Sequence, residues 1–448
     1  MGKSNLTRKK LPSILVNKKI AVYGLGNVGG PLAAAWLRAG ANVIGVDVST
    51  KLLNEIRQGK SHKKEPFISE IFSTSLKNNK LSLTSDGIQA SKDSQIKIVA
   101  VPVALKNNKI DLSIIISVAQ NIARGLKKND TVIICPSIPP GTTEKIILPI
   151  LEKSKLTGEK DFWLIYNPER IYEGRALQDI EENYPAIVSG LGKKSTDLAK
   201  NLLSIISKKG VLIMSSLATA EAEKLFEGVY RDVNIALANE LVNFCKDVGI
   251  NYWEARKAAN SQPYCHLHYP GTGVGGLCIP VYPRFVIEQA ANLGKNMKIT
   301  EFARKINDDM PMQCVKDAMK LLKNNKKSKN FKIAVLGLGF RGDVTDSRLS
   351  PSYTVINEFR KKKVKVSVHD PYIFQDDDLP SNVELSSDLA KIVYKADLIF
   401  ISTDHKQYSK LDESSFTKAN KPLLIFDGRN ILNQNNFNNS KLLTIGIP

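Results

Sequence analysis

The chain has 448 residues, 42% of them hydrophobic and 24% charged, which suits two or three domains with buried cores. No run approaches the roughly 18 apolar residues of a membrane span, and the basic start, Met1 to Lys19, lacks an apolar signal-peptide core, so the expected site is cytoplasmic with no membrane partner. A surplus of 64 Lys and Arg over 44 Asp and Glu gives a net charge of +20, spread over Arg8–Lys10, Lys60–Lys64, Lys326–Lys332 and Lys361–Lys365. It comes with no helix-turn-helix, finger or aromatic-basic signature, which argues against a nucleic-acid partner and leaves a solvated lysine face or a small anionic ligand.

Five cysteines, Cys135, Cys245, Cys265, Cys278 and Cys314, form an odd, scattered set with no CxxC pair. That pattern argues against both a disulfide framework and a structural zinc site, and no metal is expected. A cysteine with a special role in this chain is a reactive one.

Two segments echo each other: Ile20-Ala-Val-Tyr-Gly-Leu-Gly-Asn-Val-Gly29 and Ile333-Ala-Val-Leu-Gly-Leu-Gly-Phe-Arg-Gly342. Each is an apolar run entering GxGxxG, the strand, turn and helix that open a Rossmann-like unit. After the first turn (Gly24, Gly26, Gly29) a small-residue helix spans Pro31–Ala39, and a second strand, Ala41–Val46, ends on Asp47. Asp47 lies 47 − 24 = 23 positions after Gly24, near the spacing at which an acid meets the ribose hydroxyls of NAD and repels the 2′-phosphate of NADP; the plain alternative is a tight turn without a ligand. The second turn has no acid at that spacing.

Further strands are predicted at Ile96–Val101, Thr131–Cys135, Phe162–Tyr166 and Ala186–Ser189, placing a first domain over 1–215. One long helix follows over Thr219–Val248, with apolar residues at Leu225, Val229, Val233, Ala236, Leu241, Phe244 and Val248, and Gly249 stops it. With helical stretches from Trp253 and over Thr300–Lys323 it makes a helical middle, 216–325, and the Lys- and Asn-rich run Asn324–Asn330 leads into a third domain, 326–448. The fold class is therefore α/β, with two doubly wound Rossmann-like domains joined by a long helix and a helical middle domain. In the last domain Ser350 caps and Pro351 starts a delayed helix, while Arg341 and Arg348 charge the loop beside the glycines, as a different phosphate ligand would require. Two nucleotide-type sites imply two nucleotide-bearing molecules that meet.

Between 263 and 283 four glycines and four prolines fix a non-repetitive loop that a ligand can approach closely, and Cys278 lies in it. It is either a nucleophile or a small buried hydrophobe. On the long helix Lys224, Gly228 and Arg231 share one stripe, and Lys224 is either a functional ammonium or a surface partner of Glu221 or Glu227.

Taken together, Pro139-Pro-Gly-Thr-Thr-Glu144, Asn167-Pro-Glu-Arg170, Ala220-Glu-Ala-Glu-Lys224, Tyr230-Arg-Asp-Val-Asn234, Gly273-Val-Gly-Gly-Leu-Cys-Ile-Pro280, Asp346-Ser-Arg348 and Asp427-Gly-Arg-Asn430 make the whole chain resemble the UDP-glucose, GDP-mannose and UDP-N-acetylhexosamine 6-dehydrogenases. Cys278-Ile-Pro-Val281 is similar to the N-acetylhexosamine branch, nearest the UDP-N-acetyl-D-mannosamine dehydrogenases. The resemblance implies a four-electron oxidation of a sugar C6 alcohol to a carboxylate with two NAD⁺, for polysaccharide or glycan synthesis, by a homodimer or higher homo-oligomer.

It further implies Cys278 as nucleophile, Lys224 as acid/base, Glu169 working with the hydrolytic water, and Ser137 supporting that water or the nicotinamide ribose. Gly24, Gly26, Asn27, Val28, Gly29, Asp47, Lys51, Ser137 and Arg348 match cofactor positions. Arg170, Ile171, Lys224, Arg231, Tyr264, Gly275, Phe340 and Arg341 match positions that meet the UDP-sugar. The chain departs from the family at Gly228 (usually Asn), Tyr282 (usually Asp), Tyr264 (usually Arg), Val103 (usually Thr) and Leu277 (often His).

Overall fold

A computed structural model describes residues 13–16, 18–60, 65–107, 109–327 and 330–448. The basic run Arg8–Lys10, Lys63 and Lys64 of the second run, and residues 328 and 329 of the Lys- and Asn-rich run lie outside them. The described chain divides into two units, 1–226 and 227–448, with the boundary inside a helix that runs from Leu217 to Val248.

Among the described residues of the first unit ten strands form: β1 (Lys19–Tyr23), β2 (Asn42–Val46), β3 (Leu81–Thr84), β4 (Ile96–Val99), β5 (Ala104–Lys106), β6 (Lys109–Asp111), β7 (Thr131–Ile134), β8 (Trp163–Tyr166), β9 (Ala186–Gly190) and β10 (Val211–Ile213). The main sheet has the order β10-β9-β8-β7-β4-β1-β2-β3, parallel except between β8 and β9, and β5 with β6 makes a separate hairpin. Because both faces are covered, the strands carry unbroken apolar runs. Ile20 and Val22 enter the core on one face, Ala21 and Tyr23 the core on the other. Order reverses between β1 and β4, and at such a switch point the carboxyl ends of the strands leave a crevice for a ligand.

The second unit repeats this plan with β11 (Lys332–Leu336), β12 (Lys365–His369), β13 (Glu384–Ser386), β14 (Leu398–Ile401), β15 (Leu424–Asp427) and β16 (Lys441–Thr444), all parallel, in the order β13-β12-β11-β14-β15-β16. Its helices include Tyr252–Ala259, Tyr282–Asn292, which the periodicity does not reveal, and Lys298–Asn325, which carries Pro311 inside it.

The long helix corrects the apolar stripe read from the sequence. Leu225 and Ala236 of that stripe are buried, but Phe244 and Val248 are exposed, and the buried seam of the second-unit portion runs through Gly228, Asp232, Ala236, Asn239, Val242 and Cys245. Two polar residues belong to this seam because each finds partners. Asp232 pairs with Arg304 and accepts from Asn307 Nδ2 at 2.8 Å, and Asn239 donates to Asn307 at 2.9 Å. Burial pushes the Asp232 carboxyl up to about 6 although Arg304 opposes the shift.

Candidate active site

In the first unit the glycine turn follows β1 directly. A Cβ at Gly29 would stand 1.7 Å from the Gly24 carbonyl oxygen, so only glycine lets the helix Gly29–Arg38 start against the turn. At Gly26 a Cβ would meet nothing within 4 Å, which leaves that backbone open to close approach. Asp47 ends β2 and is held on both oxygens, accepting from Leu25 N–H and Ser49 N–H at 2.9 Å each, yet it stays half-exposed at the rim. Asn27 and Val28 are half-buried in the turn, and Lys51 is exposed on the next helix. These residues fit a dinucleotide: small backbone at the turn, a helix start behind it, and a fixed acid at ribose distance along the sheet.

The loops after β7 and β8 carry the next group. Asn167 anchors its loop twice, donating from its backbone to Ile134 O and from Nδ2 to Ile187 O, at 2.9 Å each. This sets Glu169 at the carboxyl end of β8. Arg170 donates to Pro185 O at 2.5 Å and lies over the Tyr184 ring, 5.4 Å from its centroid, and with Glu169 it lines a small cleft. Ile171 packs against the core, and Ser137 is half-buried in the loop after β7.

Burial drives the Glu169 carboxyl up to about 7, opposed by the charges of Lys224 and Arg170. Its proton is therefore held more tightly in the folded chain than in the unfolded one. The resulting loss of stability begins as pH rises through the ordinary value of 4.5 and is complete above about 7. Glu169→Gln is expected to raise the Tm by about 2–4 °C at pH 8 and to leave it unchanged at pH 4, measured by calorimetry.

Lys224 sits half-buried near the start of the long helix. Of the surface partners considered for it, Glu221 is excluded, because Glu221 is fully buried and accepts from the Gly141 and Thr143 amides. Those bonds tie the helix to the Pro139–Glu144 segment.

In the second unit a loop carries Cys278. Gly271 N–H donates to Asn239 at 3.0 Å, Thr272 Oγ1 to Gly428 O at 3.2 Å, and Gly276 N–H to Arg348 O at 3.0 Å. Cβ atoms at Gly275 and Gly276 would stand 2.8 Å from Phe340, and Gly276 has φ of +84°, so glycine is required where this loop crosses the second glycine turn. Gly275 and Gly276, just before Cys278, thus lie against Phe340 and the Arg348 backbone, and Arg341 sits over the Phe340 ring, 5.9 Å from its centroid. The Arg348 side chain folds onto Asp346, with its Nε donating to Oδ1 at 2.9 Å. Tyr264 is 96% exposed and Arg231 is exposed; the structure does not draw either into this group.

Cys278 is exposed, whereas Cys135, Cys245 and Cys314 are buried and Cys265 is half-buried. Burial raises the thiols of all three buried cysteines, and the Glu169 charge adds to the effect on Cys135.

The second turn also has an acid, which the sequence spacing missed. Asp370 follows β12, 370 − 337 = 33 positions after Gly337, and one of its oxygens accepts from both Leu338 N–H (2.7 Å) and Gly339 N–H (3.0 Å). His405 Nδ1 accepts from Asp343 N–H, which leaves Nε2–H to donate to Asp370 at 3.1 Å. Burial works against the fully buried Asp370 carboxylate, but His405 and the amides hold it below the usual carboxylate range. Asp427, in the Asp-Gly-Arg-Asn motif, serves a turn, accepting from Arg429, Ile431 and Leu432 amides at 2.8–2.9 Å.

A dinucleotide turn, a second nucleotide-type fold and an exposed thiol within a glycine loop define an NAD-dependent nucleotide-sugar dehydrogenase. Residues 18–207 match the NAD binding domain of the UDP-glucose/GDP-mannose dehydrogenase family, 218–309 its central domain and 334–434 its UDP binding domain. The chain belongs to this family. It is 34% identical over 417 residues to the UDP-N-acetyl-D-mannosamine dehydrogenase of Pyrococcus horikoshii, covering 93% of this chain and 96% of the relative. The solved structure of the P. horikoshii UDP-D-ManNAc dehydrogenase matches with a TM-score of 0.87 at 33% identity, over 96% of this chain and 99% of the other. A Ralstonia nicotianae NDP-N-acetyl-D-galactosaminuronic acid dehydrogenase is 32% identical over 407 residues, 88% of this chain and 92% of the relative. Among the described residues no helix is long and apolar enough to cross a membrane.

Proposed function

We propose that this enzyme oxidises the C6 hydroxyl of UDP-N-acetyl-D-mannosamine to the uronic acid through a thioester on Cys278. The observation that carries the reading is the exposed Cys278 in its glycine loop, set against three buried thiols and a half-buried one; the names of the relatives support the sugar. The Gly24–Gly29 turn with Asn27, Val28, Asp47, Lys51 and Ser137 would hold NAD, which would supply the hydride acceptor for both oxidations, and Arg348 is assigned to the cofactor as well.

Lys224 takes the alcohol proton and steadies the oxygen anions that follow. Cys278 adds as thiolate to the C6 aldehyde, giving a thiohemiacetal whose oxidation leaves a thioester. Glu169, with Ser137, guides water onto that thioester, which releases the carboxylate and frees the thiol. Arg170, Ile171, Arg231, Tyr264, Gly275, Phe340 and Arg341 bind the UDP-sugar. The functional division is 1–215, 216–325 and 326–448.

Exposed Tyr230, Leu237, Phe244 and Val248 recur along one side of the long helix and support a homodimer formed there. We place the enzyme in the cytoplasm, where the Cys278 thiol stays reduced, supplying a uronic acid for polysaccharide synthesis.

The test is a panel of UDP-N-acetylmannosamine, UDP-N-acetylglucosamine, UDP-glucose and GDP-mannose, counting NADH and carboxylate together. The mechanism requires two NADH and one carboxylate per sugar, with no free aldehyde. One NADH per sugar overturns the thioester, a better substrate elsewhere in the panel overturns the sugar, and none with any sugar favours a non-catalytic nucleotide-sugar binder.

A further inference from the structure

The roles assigned above leave one contact on Cys278 unused. The Tyr282 hydroxyl donates to Cys278 Sγ at 3.3 Å. The same two residues are tied through the backbone, since Tyr282 N–H donates to Cys278 O at 2.9 Å and Val281 N–H reaches that oxygen at 3.1 Å. Cys278 is thus fixed by main chain and side chain together to the first residue of the helix Tyr282–Asn292.

The ring that carries the hydroxyl is itself positioned. On one side it faces Gly228 of the long helix, where a Cβ would stand 2.8 Å from Tyr282 Cδ2, 2.9 Å from its Cβ and 3.2 Å from Cγ. Phe285, fully buried, lies 6.3 Å away between ring centroids. Glycine is the poorest helix former after proline, and here it occupies a buried position inside a 32-residue helix, at the point where the ring needs room.

We propose that Tyr282 orients and steadies the reacting sulfur of Cys278, and that Gly228 is the recess in the long helix that admits its ring. The proposal rests on Cys278 being the nucleophile. A phenol O–H is a better partner for a thiolate than for a neutral thiol, because a hydrogen bond to a charged acceptor is the stronger one. The hydroxyl therefore grips the sulfur most firmly as charge develops on it and confines it to one rotamer. Removing the hydroxyl costs the worth of one hydrogen bond.

The experiment uses the full-length protein as wild type, Tyr282→Phe, Gly228→Ala and the double variant. Iodoacetamide labelling at fixed neutral pH is followed at Cys278 and Cys265 by peptide mass spectrometry, beside kcat and KM for the sugar. Tyr282→Phe keeps the ring; it is expected to slow labelling of Cys278 by roughly three- to tenfold, to leave Cys265 unchanged, and to lower kcat by a like factor with KM unchanged. Gly228→Ala displaces the ring and is expected to slow Cys278 similarly, while the double variant is no slower than Tyr282→Phe alone, since the hydroxyl is already gone.

Unchanged or faster labelling of Cys278 in Tyr282→Phe overturns the proposal, and this variant decides alone if Gly228→Ala does not fold. If no nucleotide sugar yields NADH with the wild type while the labelling contrast persists, the proposed function fails and the hold of Tyr282 on the sulfur stands.

Discussion

Cys278→Ser is expected to bind the UDP-sugar within about threefold of wild type while forming uronic acid at least roughly 10⁴-fold more slowly. A serine hydroxyl is far less ionised than a thiol near neutral pH, so the step that captures the aldehyde loses its nucleophile while the surrounding loop is preserved. The loop geometry does not depend on the sulfur, because Gly271, Thr272 and Gly276 hold it through Asn239, Gly428 and Arg348. Calorimetry for binding, single-turnover acid formation by mass spectrometry and a carbonyl trap for escaping aldehyde make the full measurement. Uronic acid at the wild-type rate would refute the thioester.

Lys224→Ala is expected to lower kcat by about 10²–10⁴-fold, the range for losing a general acid or base. It carries a second signature that a structural role does not. The Lys224 charge is the largest influence holding the Glu169 carboxyl down against burial. Without it the carboxyl rises above about 7, so the acidic limb of the residual rate profile moves to higher pH. Lys224→Arg keeps a charge and is expected to restore the limb more than the rate. A drop in kcat with an unmoved limb would separate the lysine from the carboxyl.

The two openings of the α/β units were legible because a buried parallel strand, a glycine turn and a helix start are local features, each with its own residue requirement. Asp47 was legible for the same reason, lying one strand further on. The long helix was legible in extent and only in part in its buried face, which takes in Leu225 and Ala236 but not Phe244 or Val248. Its seam includes Asp232 and Asn239, whose partners Arg304 and Asn307 lie 72 and 68 positions away, and counting apolar residues cannot detect a polar residue that burial has satisfied at long range. Cys278, Glu169 and Lys224 stood out by resemblance, and the structure added their surroundings: the amides held by Glu221, the ring beside Gly228, the phenol on the sulfur. Tyr282 read as a loss in sequence because its hydroxyl acquires meaning only once residues 278 and 282 are folded onto one turn.

Asp370 gives the two like halves of this chain an asymmetry with a practical consequence. Any protein that carries two copies of one binding scaffold faces cross-occupancy, each ligand competing for the other's seat. Here the acid of the second seat is engaged from within. A ribose offered to Asp370 would find both carboxylate oxygens taken, one by the Leu338 and Gly339 amides and His405, the other by the Tyr372 and Ile373 amides, and displacing them would orphan buried groups at about 1–3 kcal/mol each. Asp47, half-exposed at its rim, carries a single amide on each oxygen and keeps room to accept more. Swapping cofactor preference between the halves would therefore require rebuilding the Asp370–His405 pair before any surface contact was redesigned.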